Sequence, residues 1–224
     1  MKPISRNALL GLYGVFGLVL LLFASLAFAE ERPEDMDLKA LSVRAVQLQQ
    51  RVDQNPSDDE ALRDLRIVYH DMAIKDSKAY GQKAAQYLEQ AYRKKPHDHV
   101  ALCYLGSAYT LLAKDAWNPV SKAFYLNKGV EHMDKAVRKD LNNITVRLIR
   151  ANNSKVLSSK FLSQRSIAYE DFEHVASLFE KGLKVPSQLK ASVYRSLADL
   201  YKEDGNLAEA KKYQIMAKNV DKEK

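Results

Sequence analysis

The stretch "YRSLADLYKEDGNLAEAKKYQIMA", residues 194–217, has the spacing that decides the fold. Tyr194, Leu197, Ala198 and Tyr201 stand at i, i+3, i+4 and i+7, which places all four on one face of an α-helix. Gly205 then supplies the left-handed residue that ends a helix, and Asn206 opens the next turn. Ala210 and Ala217 follow one heptad apart, small enough for a second helix to lie close against the first. The stretch reads as helix, sharp turn, helix.

The same arrangement recurs twice upstream. In "ALCYLGSAY" (101–109) Leu102, Leu105, Gly106 and Tyr109 take the first-helix places, and "LNKGVEHMDKAV" (126–137) carries Gly129 and Ala136 at the small places of the second. A third copy has Leu62, Leu65 and Tyr69, then Ala84, Leu88 and Ala91. This order of aromatic, leucine, small and tyrosine residues resembles the tetratricopeptide repeat (TPR), as found in exported bacterial helical-repeat proteins. The resemblance implies an all-α fold, an α-solenoid of antiparallel helix pairs. One hairpin cannot bury its apolar face alone, whereas stacked neighbours share a continuous core. About nine helices are expected: a lone helix within residues 30–56, the repeat domain over 57–220, and a charged tail at 221–224.

The chain also departs from the pattern. Pro56 and Pro96 close units 40 residues apart, and Pro96 to Leu141 is 45, against a family period of about 34. The surplus is expected at the hairpin turns. Arg147 and Arg150 in "ITVRLIRANNSKVL" (144–157) occupy places where the pattern wants apolar side chains. Ser57 with Glu60 reads as a capping box, and Asp98 and Asn118 as helix caps, with Pro119 as a first helical residue.

The amino-terminal region differs from the rest in composition. Lys2 and Arg6 precede "ALLGLYGVFGLVLLLFASLAF", uncharged from Ala8 to Phe28, and the run closes on Ala27-Phe28-Ala29 before Glu30-Glu31. A basic start, an apolar middle and an A-x-A ending are the marks of a signal peptide, with cleavage expected after Ala29. Read instead as an uncleaved anchor, 21 uncharged residues are long enough to span a bilayer. Either way the segment enters the membrane at least transiently. The remainder is exported, as a periplasmic or extracytoplasmic protein, tethered if residues 8–28 are retained.

Without Lys2 and Arg6 the 35 basic residues fall to 33 against 28 acidic ones, a net charge of +5. Both signs are interspersed, so no stripe suited to nucleic acid is formed. Cys103 is the single cysteine, so no internal disulfide can form and stability must come from packing.

No motif spells out a reaction, and neither an enzyme nor a cofactor is expected. His97, His99 and Cys103 are the nearest approach to a metal site, but they lack a fourth ligand and equally suit a polar turn. Glu170-Asp171 and Glu203-Asp204 read as solvated pairs on helix faces. What remains is a protein-binding scaffold whose partner lies on the concave face. By the register of the resemblance that face offers Glu60, Arg63, Ile67 and His70, then Val100, Cys103, Ser107 and Thr110. Thr145, Leu148, Asn152 and Lys155 follow, then Ser192, Arg195, Asp199 and Lys202. An accessory subunit of an envelope transport or assembly system, holding a small ligand or forming a homo-oligomer, is the alternative. Trp117, the only tryptophan, has two readings: a lid packed on Phe124 and Tyr125, or a ledge beside Lys122, Arg147 and Arg150 for a partner's carboxylates.

Overall fold

The computed structural model describes residues 36–222, which hold nine α-helices and no strand. The expected signal segment and its cleavage point lie outside the described residues. In chain order the helices are α1 (Leu38–Gln54), α2 (Asp59–Lys75), α3 (Ser77–Lys94), α4 (His99–Asp115), α5 (Pro119–Lys139), α6 (Ile144–Leu157), α7 (Leu162–Glu180), α8 (Ser187–Glu203) and α9 (Leu207–Lys222).

Side-chain caps set where most of these helices begin. Asp37, Asp58, Asp76, Asp98, Asn118 and Asn143 each accept the backbone N–H three residues on. Such a cap stabilises a helix start by about 1 kcal/mol. The cap of α2 is therefore Asp58, and not the Ser57–Glu60 box expected from the sequence. Ser57 instead gives its backbone N–H to Asn55 Oδ1 at 3.2 Å, inside the preceding turn. At the other ends, Gly182 (φ +94°) and Gly205 (φ +76°) supply left-handed turns. After Gly205 the N–H of Asn206 reaches back to the Tyr201 carbonyl at 2.9 Å. The surplus residues also sit elsewhere than expected. Only Asp76 separates α2 from α3, and residues 116–118 separate α4 from α5, so the added length lies within the helices.

Successive helices run antiparallel and each packs on its predecessor; α2 also touches α4, and α4 touches α6. The first-helix faces are buried as the pattern requires: Leu65, Leu102, Leu105 and Leu197 are almost wholly enclosed, with Leu88, Ala84 and Ala136 opposite them. The core runs through the whole stack in three adjoining patches. Closest approach falls between α4 and α5. A methyl group on Gly106 would stand 2.6 Å from the Gly129 carbonyl oxygen, and one on Gly129 would stand 2.7 Å from that of Gly106. Only hydrogen fits at this crossing.

Alternation gives the stack two edges. The turns after α2, α4, α6 and α8 lie along one, called here the tip edge. The turns after α1, α3, α5 and α7 lie along the other, the base edge. Because α1 ends at the base edge, it begins at the tip edge.

Candidate functional site

The expected concave face divides into a sealed part and an open part. His70, Cys103 and Ser107, expected to line the groove, are buried. They face neighbouring first helices, because small side chains let α2, α4 and α6 meet directly. Ser107 Oγ lies 2.8 Å from His70 Nε2 and accepts the Asn153 side-chain N–H at 3.0 Å. Thr110 Oγ1 donates to Asn153 Oδ1 at 2.7 Å. On the other side of the ring, His70 Nδ1 lies 3.4 Å from Asp71 Oδ1.

Asp71, His70 and Ser107 thus stand in the order used by serine hydrolases, but all three are buried and none lines the two clefts described below. The set is a polar joint between repeats. Cys103 is part of the same seam: its thiol donates to the Val146 carbonyl at 3.3 Å, and burial pushes its pKa up. It is turned toward α6, away from any joint site with His97 and His99. Among the described residues no three His, Cys, Asp or Glu side chains are grouped to hold a metal ion.

Arg147 and Arg150 are not a cationic ledge. They are buried, 5% and 8% exposed, around Asp171, which is wholly enclosed. Arg147 Nη1 donates to Asp171 Oδ1 at 2.7 Å. Arg150 donates through Nε to Oδ2 at 2.7 Å and through Nη2 to Oδ1 at 2.9 Å. Glu170 and Asp134 complete the set at 3.1 and 3.0 Å from Arg150. Desolvation opposes the charge on Arg150, but the Asp171, Asp134 and Glu170 carboxylates hold its pKa above the ordinary arginine value. The expected solvated Glu170-Asp171 pair is therefore split: Glu170 faces outward and Asp171 ties α6 to α7. Trp117 parts from both its readings. It is 93% exposed at the α4–α5 tip, so it lids nothing, and the two arginines are engaged elsewhere. Tyr125 instead stacks on Tyr109, with ring centroids 6.1 Å apart. Lys122 is exposed one turn from the tryptophan.

Glu60, Arg63, Asn152, Arg195 and Asp199 remain exposed. Asp199 accepts from Lys155 at 2.9 Å, joining α6 to α8, and Arg195 pairs with Asp221 at 2.7 Å. Only Glu60 and Arg63 of the expected residues enter a cleft. It holds about 610 Å³ at the base edge, between the end of α1, the start of α2 and the end of α3. Val52, Leu62, Tyr87 and Ala91 form its apolar floor, and Tyr87 is fixed by donating to Gln49 at 3.0 Å. Arg66–Asp98 at 2.8 Å and Lys95–Asp59 at 2.6 Å brace the rim, with Lys94 exposed beside them. The α3 contribution was missed from sequence because Tyr87 and Lys94 belong to a second helix, outside the face the register assigns to partners. A smaller cleft of about 370 Å³ lies between α5 and the α6–α7 turn.

No family sequence profile and no curated protein sequence matches the chain. In structure it is similar to a crystal structure of a thermophilic TPR protein from Thermus thermophilus, with a TM-score of 0.60 at 20% identity over 80% of this chain and 84% of that one. Together with the repeated helix pairs, the likeness shows that this chain has the TPR-like helical repeat fold, an all-α solenoid.

Proposed function

We propose that the chain is a non-enzymatic, extracytoplasmic scaffold that holds a segment of a protein partner in the base-edge cleft. The observation that carries this reading is the cleft's make-up. An apolar floor of Val52, Leu62, Tyr87 and Ala91 is ringed by side chains of both signs from α2, the end of α3 and the turn after it. An apolar anchor with a charged border is how short segments gain affinity from the floor and register from the rim. The TPR-like fold supports protein binding in general, and the uncharged run at residues 8–28 supports export.

The test is site-specific photocrosslinking in the native envelope from position 63 at the cleft and from Gln214, exposed on α9. A discrete partner species from position 63 only, weakened by Lys94→Glu, supports the reading. Identical patterns from both positions overturn it. Enclosure and volume also place the cleft within the range of small-ligand pockets, roughly 300–1,000 Å³. A small molecule retained in native mass spectra and lost with Lys94→Glu would favour the accessory-subunit alternative.

A further inference from the structure

The tip edge is the most apolar surface of the described fold. Of the thirteen large hydrophobic residues exposed among the described residues, eight lie there and two, Leu141 and Leu183, at the base edge. The most exposed are Trp117 (93%), Leu162 (85%), Val120 (79%) and Val156 (76%). Nothing in the packing of the stack calls for them. Val120 and Phe124, four residues apart, share one side of the α5 entry, and Trp117 stands in the turn just before it. The α4–α5 tip also stands proud of its neighbour. The α5 side of the smaller cleft beside the α6–α7 turn begins at Leu126, seven residues into that helix. At 1.5 Å per residue the tip projects about 10 Å further.

Two further observations say what covers this surface. Exposed lysines stand among the apolar residues of the turns after α2, α4 and α6, namely Lys78, Lys114, Lys122 and Lys160 against Asp76 and Asp115, while the acidic Glu203 and Asp204 of the turn after α8 are paired with Arg165. Asp76 is committed to capping α3. The second is continuity of the chain. α1 begins at the tip edge and Met36, just before it, is buried against the core, so the uncharged run of residues 8–28 joins the fold at this edge. From Phe28 to Met36 the chain reaches at most about 28 Å. On the anchor reading of residues 8–28, on which this step rests, the bilayer lies within that reach of the tip edge. The base edge is one 17-residue helix, about 25 Å, further off.

We infer that the tip edge docks on an anionic bilayer, with Trp117, Val120, Phe124 and Leu162 entering the interfacial layer and the lysines reaching headgroup phosphates. Tryptophan favours the interface because its ring is apolar with one polar N–H, and lysine stems lie along apolar surface while the ammonium stays wet. Docked this way the solenoid stands edge-on, and its base-edge cleft opens away from the membrane. The inference does not depend on the occupant of that cleft.

Trp117 is the sole tryptophan of the chain, so its fluorescence reads the tip edge without interference. The full chain is reconstituted into phosphatidylcholine vesicles with and without about a third phosphatidylglycerol, using acyl chains that are either plain or brominated. Docking predicts a blue-shifted Trp117 emission and strong quenching by the brominated anionic lipid. Acrylamide quenching should fall several-fold relative to the detergent-solubilised chain. Each lysine contributes roughly five-fold to partition near an anionic surface. Lys114→Glu with Lys122→Glu should therefore release the tip, and Val120→Ser with Leu162→Ser should do so independently, with the circular dichroism of both variants unchanged. Trp117 fully accessible to acrylamide and untouched by brominated lipid overturns the inference. So does a blue shift that appears without lipid and rises with protein concentration, which would assign the edge to a second copy of this chain.

Discussion

Replacing Asp171 by asparagine keeps the shape of the side chain and removes its charge, leaving two buried guanidinium groups short of their shared acceptor. Three charge-assisted hydrogen bonds of 2.7, 2.7 and 2.9 Å converge on this carboxylate. Removing one partner of a buried ion pair costs about 3–5 kcal/mol, because the remaining charge is left desolvated without compensation. Here Glu170 and Asp134 stay within 3.3 Å of the arginines, so the lower end applies, about 3 kcal/mol. For a chain of this size that lowers the melting temperature by roughly 6–12 °C. Urea unfolding followed by circular dichroism measures the loss, and amide hydrogen exchange locates it at α6 and α7. Substituting the three buried members at once, Arg147→Leu, Arg150→Met and Asp171→Leu, should recover most of the stability, because no fully buried charge is then stranded and Glu170 and Asp134 retain contact with water. An Asp171→Asn protein within about 0.5 kcal/mol of the parent, the scatter of ordinary surface changes, would refute the buried network. A triple variant as unstable as the single one would refute the argument from desolvation.

Gly106→Ala and Gly129→Ala should each destabilise by about 1–3 kcal/mol, since the new methyl group meets backbone carbonyl oxygen; this outweighs the roughly 1 kcal/mol that alanine gains in helix propensity. Gly81→Ala meets only the Leu112 side chain at 3.2 Å and should be milder in the same chemical melts. Cys103 should resist a thiol reagent at pH 8 in the folded protein and react on unfolding in urea, because burial raises its pKa and α6 covers it. Stability should fall as pH drops below about 6.5. Desolvation, aided by Lys128 for His132 and by Arg147 for His174, holds both folded pKa values below the ordinary one. The unfolded chain therefore takes up protons first, and the stability present above its pKa is lost below it. Comparing urea midpoints at pH 7.5 and 5.5 checks this, and His132→Leu with His174→Leu should flatten the difference.

The helices, their order and two of their caps were open to sequence reading because they rest on interactions within a few residues; at α2 the cap fell one residue on, at Asp58. The i, i+3, i+4, i+7 pattern at Tyr194–Tyr201, the left-handed Gly205 and the Asp98 and Asn118 caps are properties of one or two turns of chain. The small residues at 106 and 129 were visible too, but their mutual contact was not. Whether a residue on the first-helix face lines a groove or a joint depends on how closely the next pair stacks. That distance closed the seam over His70, Cys103 and Ser107 and left Glu60, Arg63 and Asn152 in solvent. Arg147 and Arg150 stood out as misplaced charges, yet their answering carboxylate lies 21 and more residues away on the facing helix. Asp171 rather than Glu170 turns inward only because of the rotation of α7 about its own axis. Helical periodicity follows from backbone hydrogen bonds four residues apart and can be read along a string. Pairing between helices depends on the separation, tilt and rotation of two rods, and those are settled only when all the side chains between them pack at once.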